Sequence, residues 1–362
     1  MERYFNTSGP LNAAEHYTLD PLQRLELPEV LSLIDQQKYF SLHAPRQTGR
    51  TTYLKALARY LNDEGRLRCL YVSVKQDQAA HQDFEKGVAV VMSQIAAAAQ
   101  EQLHDDFVAK NWPNILETSG GAANTMLHTL TKWCDHSPKP MMILIDDIDA
   151  LAGSTLIAML HQLRVGYCDR NFAPFPQSVV LCGMRHLFDY QVEFEFGVDF
   201  VPYNINSESL QLKNFSIDDI QALYMQHTQE TKQPFATGVY ERVFELTQGQ
   251  PWLVNALAYD ACFQHKDGQD RSKSITVADI DAAKERVIQR RETHLDQLMA
   301  KMQQDRVQPV IESIMSGKIL SPTKGDINYT MDLGLIRQDE TNSIVIANPI
   351  YREVIAHVAS GA

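Results

Sequence analysis

The sequence lacks any apolar run near the ~20 residues that a membrane-spanning helix needs. Its N-terminal stretch, MERYFNTSGPLNAAEHY, holds no apolar block of the kind a secretory leader carries. Cysteine is sparse: Cys69, Cys134, Cys168, Cys182 and Cys262 are odd in number, widely spaced and never arranged as CxxC. This argues against a disulfide framework and against zinc held by cysteine pairs. The two cysteines in the runs RCLYVSV and SVVLCGM read as small hydrophobes. Positive charge is also in deficit, with 33 Lys and Arg against 45 Asp and Glu and a formal net charge of -12. That field repels polyanions, so nucleic-acid binding would need a local basic face. The 12 histidines are scattered, no HExxH spacing or nucleophile elbow occurs, and there is no internal repeat. A cytoplasmic chain with no membrane segment is expected.

What is present is ordinary for a globular protein: 44% apolar and 22% charged over 362 residues, enough for two or three domains. Short apolar runs read as strands at Lys38–Ala44, Arg68–Val74, Met141–Asp149, Ser178–Met184 and Ser209–Phe215. Helical stretches separate them, which predicts an α/β fold with a parallel sheet covered on both faces. Asn111–Asn124, with its Pro and Gly pair, reads as a loop. From Ser216 onward the pattern is helical. Ser216 and Asp219 have capping-box spacing, and a helix break is expected at Gly249–Pro251. The run from Thr276 to Met302 reads as one capped, charged helix. The tail gives helix, helix, a hairpin around DETNS and a last helix, the order of a winged-helix module. The expected domains are 1–215, 216–295 and 296–362.

The stretch HAPRQTGRTT, His43 to Thr52, is close to the phosphate-binding pattern G-x-x-x-x-G-K-S/T. Ala44 stands for the first glycine, followed by Pro45, Arg46, Gln47, Thr48 and then Gly49; Arg50 stands for the lysine, and Thr51 and Thr52 follow. The stretch leaves a strand and opens a helix, so backbone N–H groups could converge on phosphate oxygens with the helix dipole behind them. Gly49 permits the close approach, and Thr51 is placed to offer its hydroxyl to Mg2+. MMILIDDID supplies the matching acidic strand end: Asp146 for the metal, Asp147 for the attacking water. Arg185, after SVVLCGM, is positioned to meet a γ-phosphate.

These stretches, together with ELTQGQPWLVNALAYDAC, RRETHLDQL and DLGLIRQDETNSIVIANPIYREVI, resemble the bacterial AAA-like ATP-binding proteins, related to archaeal ATPases and STAND-class P-loop NTPases. The resemblance runs over nearly the whole chain. It implies an ASCE-type P-loop NTPase domain, a helical lid and a C-terminal winged helix. It further implies that Gly249, Gln250 and Pro251 pack on base or sugar, and that Tyr17, Thr18, Leu19 and Pro21 close over adenine. In STAND-related relatives such a tail packs on the nucleotide domain and helps hold an off state.

The expectation is therefore a nucleotide-dependent switch that binds ATP or ADP with Mg2+. Catalytic parts would come from Asp147, Arg185 and Arg50, with weak hydrolysis because arginine's planar fork does not fit the place of a compact ammonium. Its output would pass to an unidentified protein partner or through nucleotide-dependent homo-oligomers. Two alternatives stay open, a catalytically inactive nucleotide-binding scaffold and a DNA-associated regulator. The tail stretch DINYTMDLGLI has two acids and no base, which disfavours DNA, and the basic run Lys284–Arg291 reads as a solvated helix face. The aromatic and acidic stretch after Arg185 could be a hairpin or a docking edge. Two geometries would undo the nucleotide reading: Gly49 and Asp146 far apart, or Arg50 filling the pocket paired with a carboxylate.

Overall fold

The five strand-like runs do pair as one parallel sheet in the computed structural model, which describes residues 2–9, 11–75, 83–151, 153–187, 206–290, 293–317 and 322–359. The stretch 188–203, expected as a hairpin or docking edge, lies outside the described residues. The chain divides into two compact units: residues 1–20, 45–49 and 213–362 in the first, and 21–44 with 50–212 in the second.

The second unit holds the sheet. Its strands are β1 (Tyr39–His43), β2 (Arg68–Ser73), β3 (Met141–Asp146), β4 (Ser178–Gly183) and β5 (Asn206–Gln211), in the order β2-β3-β4-β1-β5. Every neighbouring pair is parallel, with Phe40 opposite Val180 and Ile143 opposite Val179. Parallel pairing needs crossovers, and the crossovers cover both faces. Side chains alternate accordingly. Leu70, Val72, Ile143, Ile145, Val179 and Leu181 pack with α3 (Phe84–Leu103), α5 (Ala122–His136) and α6 (Ser154–Asp169). Phe40, Leu42, Cys69, Leu144, Val180 and Cys182 pack with α1 (Leu27–Asp35) and α2 (Arg50–Glu64) on the other face. Because β3, β4 and β1 are adjacent and parallel, the segments after each of them leave from one edge of the sheet.

Two sequence expectations need correction here. The segment around Pro113 is not a loop but α4 (Phe107–Thr118), and the break falls at Gly120 and Gly121, both with positive φ. Val108 and Ile115 bury one face of that helix, and tertiary burial overrides the proline signal. The fifth strand starts and ends earlier than expected. Phe215, expected at its end, lies in the first unit, where its ring packs in the helical core and its N–H donates to the Gly249 carbonyl at 2.8 Å.

The first unit is built on one helical core. It comprises α7 (Ile217–Thr231), α8 (Val239–Thr247), α9 (Pro251–Tyr259), α10 (Val277–Gln289) and α11 (Thr293–Met302). After α11 come α12 (Gln308–Ser316), α13 (Lys324–Asp332), the antiparallel pair β6 (Ile336–Gln338) and β7 (Ile344–Ile346), and α14 (Pro349–Ala359). Ser216 caps α7 and Thr276 caps α10, each in a capping box with the aspartate three residues on. The expected single helix from Thr276 to Met302 is described as two, α10 ending at Gln289 with Arg290 as its C-cap. The Arg290 side chain turns back to the Arg286 carbonyl and, with Arg286, pairs with the buried Asp260. Three bases of the run Lys284–Arg291 are thus in ion pairs while staying partly exposed, and Lys284 bonds Glu353 at 2.6 Å. Among the described residues no helix is long and apolar enough to cross a membrane.

Candidate functional site

The chain leaves β1 through a buried Ala44, whose N–H donates to the Gly183 carbonyl at 3.2 Å. The next residues form a loop with positive φ at Gln47 (60°) and Gly49 (93°). This backbone pattern turns successive N–H groups into one concavity, the kind that holds anions. The Thr48 hydroxyl donates to the Pro45 carbonyl at 2.7 Å and draws the loop closed. Arg46 and Gln47 are exposed, and α2 begins at Arg50, adding the positive end of a helix dipole.

In the second unit, Arg50 and Thr51 meet the acids that follow β3. The Thr51 hydroxyl donates to Asp146 Oδ2 at 2.7 Å, which joins the start of α2 to the acidic end of β3. Asp146 is fully buried, and its other donors include the Tyr71 hydroxyl at 3.1 Å and the Asp147 N–H at 2.9 Å. Burial first, and then the Asp146 charge, hold the Tyr71 phenol well above its ordinary pKa, so it stays a donor. Asp147 is left-handed, with φ 60° and ψ 35°, a conformation that aspartate tolerates better than most residues. Its Oδ2 accepts the Ser73 hydroxyl at 2.7 Å.

Arg50 partly realises the second undoing geometry. Its Nη1 lies 3.5 Å from Asp149 Oδ2 and its Nη2 4.0 Å from Asp147 Oδ1, with a side chain only 10% exposed. Yet Nη1 is buried without a hydrogen bond. Burial opposes the charge, but Asp149, Asp146 and Asp147 outweigh it and hold the guanidinium above its usual range. A charged donor in this position lacks a close acceptor, and phosphate oxygens are acceptors of the right charge. The residues present therefore fit a nucleotide's phosphate tail. Thr51 and Asp146 also suit Mg2+, which is commonly held by one or two protein oxygens together with phosphates.

Sequence reasoning thus named Arg50, Thr51, Asp146 and Asp147, and these meet. Arg185 is half-buried just past β4, beside Met184. Tyr17 is 1% exposed in the first unit's core, against Phe5 and Tyr224, with its hydroxyl 3.2 Å from His227 Nδ1. Leu19 packs half-buried on the same core, and Pro21 opens a short turn in the second unit. Pro251 begins α9, buried, after Gln250, whose side chain caps the Leu253 N–H. Tyr71, Ser73 and Asp149 were missed. The signal was present for the first two: in RCLYVSV they share a face by parity, on the strand that pairs with β3.

A family model described as an AAA-like domain matches residues 30–357. The chain belongs to the AAA-like domain family. The Walker-type ATPase PABY2304 of Pyrococcus abyssi is similar in fold, with a TM-score of 0.63 at 14% identity, over 97% of this chain and 99% of that one. Weaker likenesses include Cdc6p from Pyrobaculum aerophilum, with a TM-score of 0.48 at 13% identity over 94% of this chain and 93% of that one. Another is the RuvB Holliday junction branch migration motor of Thermotoga maritima, with a TM-score of 0.43 at 10% identity over 96% and 97%. No curated protein sequence matches. The family match and the likeness to the first of these structures give the chain an AAA-like domain with the fold of a Walker-type ATPase.

Proposed function

We propose that this AAA-like protein binds ATP or ADP with Mg2+ through Ala44–Thr52 and acts as a cytoplasmic, STAND-related switch with slow hydrolysis. The observation that carries the reading is the buried Arg50 Nη1 without a hydrogen bond, directly after a loop with positive φ at Gln47 and Gly49 and next to a Thr51 hydroxyl on Asp146. Thr51 and Asp146 would hold the Mg2+, which supplies charge neutralisation on the phosphates. Asp147, oriented by Ser73, would position the attacking water, and Arg185 would meet the terminal phosphate. Hydrolysis is slow in this reading because the Arg50 fork already faces two carboxylates and cannot copy the reach of lysine.

We assign the nucleotide-binding domain to 1–215, a helical lid to 216–295 and a winged-helix module to 296–362. Support for a switch lies inside the first unit. Gly334, ahead of β6, has φ 76°, and a Cβ there would fall 2.6 Å from Cγ of Pro45 in the phosphate loop. The tail thus packs on the loop that would take the ligand. The output would go to a protein partner or to self-assembly. A DNA-directed role has less behind it, since Lys284, Arg286 and Arg290 are engaged with Glu353 and Asp260.

Hydrogen exchange with and without ATP and Mg2+ tests the reading. Protection at 44–52 together with altered exchange at 324–346 is expected. A folded protein whose exchange is unchanged everywhere would remove the proposal.

A further inference from the structure

Asp149 enters the reading above only as one of two acids facing Arg50, yet it also bonds the turn that follows β4. It sits in the short turn Ile148–Ala150 after β3, with a side chain only 13% exposed. Its two oxygens accept the Met184 N–H at 3.0 and 2.8 Å, and Oδ2 lies 3.5 Å from Arg50 Nη1. Met184 is the residue between β4 and Arg185. One carboxylate therefore links the residue that opens α2 to the turn that carries Arg185.

We propose that Asp149 is a positioning residue that competes with the nucleotide's phosphates for the Arg50 guanidinium and so sets the site's affinity; this rests on the nucleotide reading. The contact is loose. Charge-assisted N–H···O bonds run to about 2.7–2.9 Å, and this pair is longer, with Nη1 making no hydrogen bond. A phosphate can offer Arg50 the short, paired bonds that Asp149 does not. Nor is Asp149 stranded when the arginine turns away, because the Met184 N–H still binds it. Asp147 is the weaker competitor, since it stands 4.0 Å from Arg50 and its other oxygen holds Ser73.

A double-mutant cycle read by calorimetry with ATP and Mg2+ tests this on the full chain. Asp149→Asn keeps an oxygen for the Met184 N–H while removing the charge. It should tighten binding about tenfold in the wild-type background and less than about twofold in Arg50→Gln. Where Arg50→Gln binds too weakly to measure, Arg50→Lys serves as the background, and the gain from Asp149→Asn should again be smaller than in wild type. Asp149→Ser replaces the asparagine variant should that one not fold. Equal gains in both backgrounds mean simple removal of an acid near an anion and overturn the role of Asp149 alone, as does a loss or no change. No binding by folded wild type overturns this role and the nucleotide reading together.

Discussion

Arg50 carries its charge on a plane of five donors, whereas the lysine usual at this position carries three donors on one compact, mobile tip. The distances of 3.5 and 4.0 Å to Asp149 and Asp147 fit that difference: the fork reaches both acids and bonds closely to neither. Arg50→Lys should therefore raise ATP turnover about tenfold or more, because small misplacements of a catalytic charge are costly. Phosphate release at saturating ATP and Mg2+ measures it, and an unchanged rate would place the limit elsewhere. At this scale the sequence was legible for the residues in sequence-contiguous patterns. Gly49, Thr51, Asp146 and Asp147 could be named because each sits in a short pattern with its chemistry attached. Tyr71, Ser73 and Asp149 were not named, because their roles depend on which strand lies beside β3 and where β4 ends.

Among the elements, the turn between α8 and α9 is fixed by close approach. Gly249 has φ 70°, and a Cβ there would fall 1.8 Å from the Phe215 carbonyl oxygen, which no side chain tolerates. Gly249→Ala should cost about 3 kcal/mol of stability, combining backbone strain with overpacking. Urea unfolding measures this, and a loss below about 1 kcal/mol would mean that the turn relaxes easily. The helix break itself was legible, since Gly-x-Pro ends one helix and starts another by backbone rules alone. The tight contact with Phe215 was not, because it is a tertiary approach between residues 34 positions apart. The same limit explains α4. Pro113 argued for a loop, and only the burial of Val108 and Ile115 reveals a helix. It also explains Asp260, whose pairing with Arg286 and Arg290 at the end of α10 joins residues distant in sequence.

At the level of the whole molecule, stability should depend on pH through a group far in sequence from the phosphate loop. His294 is buried beside Trp252, with its Nε2 2.6 Å from the Tyr351 hydroxyl. Burial pushes its pKa down from 6.5 to about 4. A group whose folded pKa is depressed gives its full stabilisation above the unfolded value and loses it as pH falls toward the folded one. The window is thus pH 6.5 down to about 4, and that gap is worth about 3 kcal/mol. Unfolding measured across this range should show His294→Phe losing less stability than wild type, and parallel slopes would contradict the assignment.

The parallel sheet and the AAA-like family membership rest on many strands and on matches over most of the chain. The nucleotide site rests on a few side chains, and it is the claim most worth testing. Calorimetry of ATP with Mg2+ against the folded full-length chain does so most directly. The expected result is saturable binding near one nucleotide per chain, weakened at least about tenfold by Asp146→Asn, which removes the metal's carboxylate. Absence of heat at millimolar nucleotide, or affinity indifferent to Asp146→Asn, would contradict the account.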